Sequence, residues 1–221
     1  INTVKDIIPQ NANSYEGLIV SANNNEYLKL NDEIVMGKRA ITINESLPVL
    51  SITKKYKDKT VFGVVSSKEM ISGENERLQQ NGAVIIKNNK VKGDNRVIIN
   101  SVGEGAIWVT NKNGSFEAGD YITSSEIPGY GIKQESENLT NYTVAKITMD
   151  CDFKPIDVPI KKCNNLDING NIIWEDSGEY ETQYNIRYIN SNGEIITKEL
   201  YESSTTDVYI AAFVGCTYHC G

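Results

Sequence analysis

The sequence predicts a mainly β protein, a sandwich or barrel-like domain followed by a smaller C-terminal β-hairpin unit. Three observations carry that expectation. Short runs rich in Val, Ile, Thr and Tyr recur along the chain, each bounded by Gly, Asn or Asp, as in proteins built from hairpins and meanders. Only residues 74–80 and 4–8 are candidates for a helix, and both stretches are short. Two turn signals stand between apolar runs: Asn169-Gly170 between LDI and NIIW, and Ser191-Asn192-Gly193 between YNIRYI and EIITKEL. The first is a candidate type I′ hairpin turn.

The predicted strands follow in order at residues 17–22, 26–30, 40–43, 49–53, 61–66, 83–87, 96–101, 106–110, 120–124 and 142–149. Together they make a main β-domain over residues 1–150. Residues 151–165, CDFKPIDVPIKKCNN, hold two prolines and little alternation, so they read as a linker or crossing strand. Residues 166–221 carry the two hairpins and end in VYIAAFV, 208–214, a continuously apolar run expected as a buried closing strand. No short-period repeat suggests a solenoid.

Charge argues against nucleic acid as a main partner. The 22 Lys and Arg against 29 Asp and Glu leave a net charge of -7 and a pI near 4.9, whereas phosphate recognition needs clustered cations. The basic run Lys54, Lys55, Lys57 and Lys59 is interrupted by Asp58 and reads as a solvated strand end. No stretch approaches the ~18 consecutive apolar residues of a membrane-spanning helix, and no basic-then-apolar signal opens the chain. Ile1 is too large a residue to follow a removed initiator methionine, so the 221 residues are expected to be the C-terminal piece of something longer.

Two constellations have the residue types for chemistry. Cys216, His219 and Cys220 gather two of the four cysteines and the single histidine near the C-terminus. They supply three zinc ligands, which Cys151 or Cys163 would complete. In a strand, however, Cys216 and Cys220 share one face and His219 the other; packed free thiols or a disulfide are the alternatives. No cofactor is expected other than zinc at this cluster. Glu104 and Asp120 lie where Gly-bounded turns meet strands. As a catalytic pair, one would be ionised to activate water and the other protonated to serve a leaving amine; as turn residues they need no such role. His219 is too near Cys216 and Cys220 in sequence for a cysteine triad. Gly103, Gly105, Gly114 and Gly119 precede no helix and read as turns, not as a phosphate loop. Four glycosylation sequons, beginning at Asn44, Asn113, Asn138 and Asn141, are what an Asn-rich chain produces by chance. Trp108, Tyr121 and Tyr130 suit either a packed core or a sugar-stacking face.

Several stretches carry a resemblance: GLIVSA (17–22), AITINESLPVLSI (40–52), KDKTVFGVVSS (57–67), INSVGEGAIWVTNKNG (99–114), AGDYITSSEIPGYGIKQ (118–134), NYTVAKITMDCDF (141–153) and AAFVGCTYHCG (211–221). With these the chain resembles the C-terminal domain of fibre-like structural proteins of large DNA viruses and aquatic phages. The likeness is strongest over 99–153 and fades between 161 and 207. The middle block is more distantly similar to the glutamic-peptidase-type intramolecular-chaperone domain that ends phage pre-neck appendage proteins. That kinship implies a homo-oligomer, a trimer above all, located on a virion or outside the cell, which templates an upstream shaft and in some members cuts itself away. The acidic motif of the self-cleaving members has no recognisable counterpart around residues 1–16. The expected function is therefore an oligomerisation or chaperone-like cap of a fibre or appendage. A self-cleaving peptidase acting on its own precursor and a module binding host surface glycans stand as alternatives.

Overall fold

Two sheets, each curled until its strands meet again, form the body of the protein. The structure, a computed structural model, describes residues 2–4, 15–29, 34–36, 46–68, 76–81, 84–89 and 96–220. The strands of its first half are β1 (Asn2–Val4), β2 (Ile19–Lys29), β3 (Ile34–Met36), β4 (Ser46–Ile52), β5 (Val61–Lys68), β6 (Glu76–Asn81), β7 (Val84–Asn89) and β8 (Arg96–Asn100). Then come β9 (Val102–Thr110), β10 (Tyr121–Ser124), β11 (Gly131–Lys133), β12 (Thr143–Ile147), β13 (Asp157–Leu166), β14 (Ile172–Thr182), β15 (Asn185–Asn190) and β16 (Ile195–Ile196). A short helix α1 (Lys198–Ser203) precedes the last strand, β17 (Val208–His219).

The first sheet runs β3-β2-β4-β1-β8-β5, and β5 pairs back to β2, so five of its six strands form a ring. The second runs β12-β10-β11-β9-β17-β15-β16, and β12 pairs back to β17, closing a second ring of five. Within the two rings only β1–β4 and β9–β11 are parallel pairs. The protein is thus mainly β and barrel-like, as predicted, and ring closure removes the exposed edges that open sheets must guard.

Period-two alternation supplies both cores from shared segments. Leu18 and Val20 enter one apolar cluster with Leu50, Val65 and Ile127, while Ile19 between them enters the other with Val64, Ile107, Ile122 and Val144. The same division separates Val65 from Val64 and Ala211 from Ala212. Ile19, Val20, Leu50, Ile107 and Ile122 are fully buried; side chains of this kind stabilise by ~1.5–3 kcal/mol each relative to exposure.

Most predicted strands appear where expected. Those at 17–22 and 26–30 merge into the single strand β2, which is irregular between Ala22 and Tyr27. The strand at 40–43 and all but the first residue of the helix candidate at 4–8 lie outside the described residues. The helix candidate at 74–80 is corrected: β6 occupies that region and pairs with β7 from Glu76↔Asn89 to Asn81↔Val84. Its Glu, Arg, Leu and Gln favour helix only weakly, and pairing with a β-branched neighbour outweighs so small a preference. EIITKEL is also only briefly a strand. After Ile195–Ile196, Thr197 caps α1, its Oγ1 accepting from Leu200 N at 3.2 Å. The turn at Asn169-Gly170 is not type I′, which needs positive φ at both central residues. Gly170 has φ 82° and Asn169 does not share that sign, and Asp167 N reaches Asn171 O across a wider loop.

Within residues 151–165, Cys151 makes a single bridge to Phe116 and Phe153 takes a left-handed φ of 64°; from Asp157 the segment forms β13, which pairs only with β14 among the described residues. The apolar run at 208–214 lies within β17, between β9 and β15 in the second sheet. Ala211, Ala212 and Val214 of that run are buried, whereas Val208, Tyr209, Ile210 and Phe213 are only partly so.

Gly17 joins the rings. Its N donates to Val65 O at 2.8 Å and its O accepts from Trp108 N at 3.0 Å. Its φ of 82° is left-handed, and a Cβ there would collide with the Phe213 and Trp108 rings. Gly17→Ala is expected to cost ~2 kcal/mol or more, read as a lowered urea midpoint; an unchanged midpoint would contradict this packing.

Candidate functional site

The outward face of the second ring brings together several of the predicted site residues. Glu104 on β9 lies opposite Thr217 on β17, Thr217 opposite Lys146 on β12, and Lys146 opposite Tyr121 on β10. Since the side chains at 216 and 218 point inward, those at 217 and 219 point out. The His219 ring meets Tyr121 edge to face at 6.2 Å, and Thr217 Oγ1 is 3.4 Å from His219 Nε2. Lys146 Nζ lies 5.8 Å over the Tyr121 ring.

Glu104 and Asp120 do not form a pair. Around the ring, β17 and β12 stand between β9 and β10 on one side and β11 on the other, whereas carboxylates that share a proton sit ~3 Å apart. Asp120 is also engaged already, bonded to Lys133 Nζ at 2.6 Å and to Glu117 N at 2.7 Å. Glu104 is exposed on its strand.

The cysteines face inward. Cys216 is buried and Cys220 packs against the same core, its Sγ donating to Val144 O at 3.2 Å. Burial pushes both thiols up to about 12. His219 points to the other face, as the alternation predicted. Among the described residues no group of three His, Cys, Asp or Glu is arranged to hold a metal, and all four cysteines are free thiols. Cys151, buried at the second core, lies next to Asp152, which accepts from Tyr184 Oη at 2.8 Å.

The aromatic candidates are also partly absorbed by packing. Tyr130 is 2 % exposed. The Arg187 guanidinium lies between it and Trp108, 4.9 Å and 3.8 Å from the two ring centres. Arg187 Nε is buried there without a hydrogen-bond partner. Trp108 is tied down through its indole N–H, which donates to Glu16 O at 3.1 Å. The three aromatics therefore do not present a common stacking platform.

Sequence reasoning missed the most constrained acid, Asp58, which it placed in a solvated basic run. Its side chain is only 6 % exposed. Ser21 Oγ donates to Oδ2 at 2.7 Å, and Thr60 N and Oγ1 donate to Oδ1 at 2.9 Å and 2.7 Å. Thr53 Oγ1 lies 2.6 Å from Ser21 Oγ. Asp58 N donates to Ser124 Oγ, which in turn donates to Lys55 O, each at 2.9 Å. Burial alone would raise the Asp58 carboxyl, yet the hydrogen bonds from Thr60 and Ser21 hold it below the ordinary carboxylate range. The signal available in sequence was a lone acid among lysines followed by Thr60, a short local acceptor-and-donor turn.

The remaining exposed feature is the β13–β14 hairpin. Trp174, Ile172, Ile173, Tyr180 and Leu166 are all exposed on it, and nearly every residue of β14 faces solvent. Fold and surface together define a mainly β protein whose described residues display an apolar arm. No family model, no curated protein and no solved structure matches the chain.

Because the folded Asp58 carboxyl is depressed, its contribution is fully present above the unfolded value near ~3.9 and is lost as pH falls through the folded value. Asp58→Asn is expected to destabilise by ~1–3 kcal/mol at neutral pH. The gap from the parent should narrow below about pH 4 in denaturant titrations; a gap constant with pH would contradict the assignment.

Proposed function

We propose that this chain is an oligomerisation domain at the end of a fibre or appendage protein of a virion, a chaperone-like cap that sets several copies in register for the shaft upstream. The observation that carries the reading is the exposed apolar hairpin beside two sheets, each with five strands closed into a ring. Enzymes confine their reactive groups in a cleft; an assembly module instead offers apolar surface to another chain. The candidate acids Glu104 and Asp120 stand apart, and Cys151 and Cys216 are buried, so assembly fits this arrangement better than self-cleavage.

Topology supports the same reading. β17 completes the second ring by pairing with β9 from Thr110↔Ala211 to Val102↔His219, across ~100 residues of intervening chain. Non-local β pairing of this kind forms slowly and exposes edges meanwhile. A terminal domain that folds as a unit and then gathers copies shortens the same search for a β-rich shaft. The resemblance of residues 99–153 to viral fibre-end domains adds the location, a virion or extracellular appendage, and the copy number, three.

Native mass spectrometry of the full chain tests the reading. The expected species has three times the 24.6 kDa chain mass, and a monomer persisting at micromolar concentration would overturn it.

A further inference from the structure

The β13–β14 hairpin pairs with no other strand among the described residues and leaves backbone N–H and C=O groups along both outer edges. A lone two-stranded ribbon is marginal in water, yet this one has strands of 10 and 11 residues. Its register sets Trp174 opposite Cys163, Ile172 opposite Leu166 and Tyr180 opposite Pro159. Two register shifts separate these pairs, and Lys161 opposite Asp176 falls between the Trp174 and Tyr180 pairs; Trp174, Leu166 and Tyr180 are 58, 62 and 68 % exposed. Single apolar residues at a surface need no explanation, but several large ones gathered on one ribbon mark a contact.

Charge indicates which contact. Lys161 and Lys162 make the middle of β13 basic, while Asp176 and Glu175 opposite them, followed by Glu179 and Glu181, make β14 acidic. If hairpins of two copies met β14 to β14, acid would lie beside acid; β13 to β13 would set lysine beside lysine. Like charges directly across strands destabilise a sheet, and opposite charges support it. Only β14 of one copy against β13 of the next continues the alternation. That contact joins two different surfaces, and such a heterologous contact closes into a ring where the rotation between copies closes and otherwise runs on as a filament.

We propose that the hairpins of three copies pair β14 to the neighbour's β13 and close a six-stranded antiparallel collar with the Trp174 face turned to the three-fold axis. The collar leaves no open edge, covers Trp174 and sets Asp176 of each copy beside Lys161 of the next. It rests on the reading of the chain as a homotrimer and adds which surface holds the copies together.

Cross-linking separates the two statements. Full chains with light and heavy isotope labels are mixed, assembled and treated with a zero-length carbodiimide reagent. The expected product joins Lys161 or Lys162 of one label to a β14 carboxylate of the other. A trimer giving only same-label links between β13 and β14 overturns the collar and leaves the trimer; a monomer overturns both. As a second arm, Lys161→Glu with Lys162→Glu should raise the concentration at half-dissociation by ~10-fold or more. Adding Glu175→Lys and Asp176→Lys restores the oppositions of 161 with 176 and of 162 with 175, within and between hairpins, and should restore assembly. Cys163 alkylation should be slow in the parent and fast in the double variant. Trimers of unchanged stability in the double variant overturn the collar.

Discussion

One buried carboxylate ties the two rings into a single body. Asp58 sits in the loop between β4 and β5, accepts from Ser21 of the first ring, and through its own N–H holds Ser124 of the second. An ionised group without water is costly unless its oxygens are hydrogen-bonded, so once Asp58 is buried, Ser21, Thr60 and the loop backbone must hold their places. Lys57 just before it takes a left-handed φ of 51°, a strained conformation for a long side chain. The strain is local and is offset by the bonds it permits. Neighbouring backbone bonds reinforce the junction, with Gly129 N reaching Thr53 O at 2.8 Å and Ile19 N reaching Gly129 O at 2.8 Å.

With the rings fixed, strands whose two faces serve different cores act as walls. Residues at 18, 19 and 20 alternate between the two apolar clusters, as do 64 and 65 and 211 and 212. A wall shared in this way cannot shift by one residue without exposing one core and burying polar groups in the other. The exposed β13–β14 ribbon, held at its base where Tyr184 bonds to Asp152, shares no strand pairing with either ring among the described residues.

Much of the fold was legible in the sequence because turns and strand composition are local. Val61–Lys68, Arg96–Asn100 and Tyr121–Ser124 announce themselves by β-branched residues between Gly, Asn and Asp. Ring closure was not legible: nothing near Cys216 indicates that it lies opposite Gly105 on one side and Ile147 on the other. The inward course of Cys216 and the outward course of His219 followed from period two alone. Asp58 was missed because its burial depends on Ser21 and Ser124, which lie 37 and 66 residues away. The helix at Lys198–Ser203 was missed because two isoleucines before it read as strand, although Thr197 with Glu199 in the first turn carries the cap signal.

Hydrogen exchange on the full chain, read at β2, β4, β10 and β12, tests the coupling of the rings most directly. Strands that belong to one cooperative unit open with a common free energy. The expected result is agreement of the two rings within ~1 kcal/mol, with Ser124→Ala loosening both. A first ring that exchanges ~100-fold faster than the second, equivalent to ~2.7 kcal/mol, would show two independent bodies and contradict the role given to Asp58.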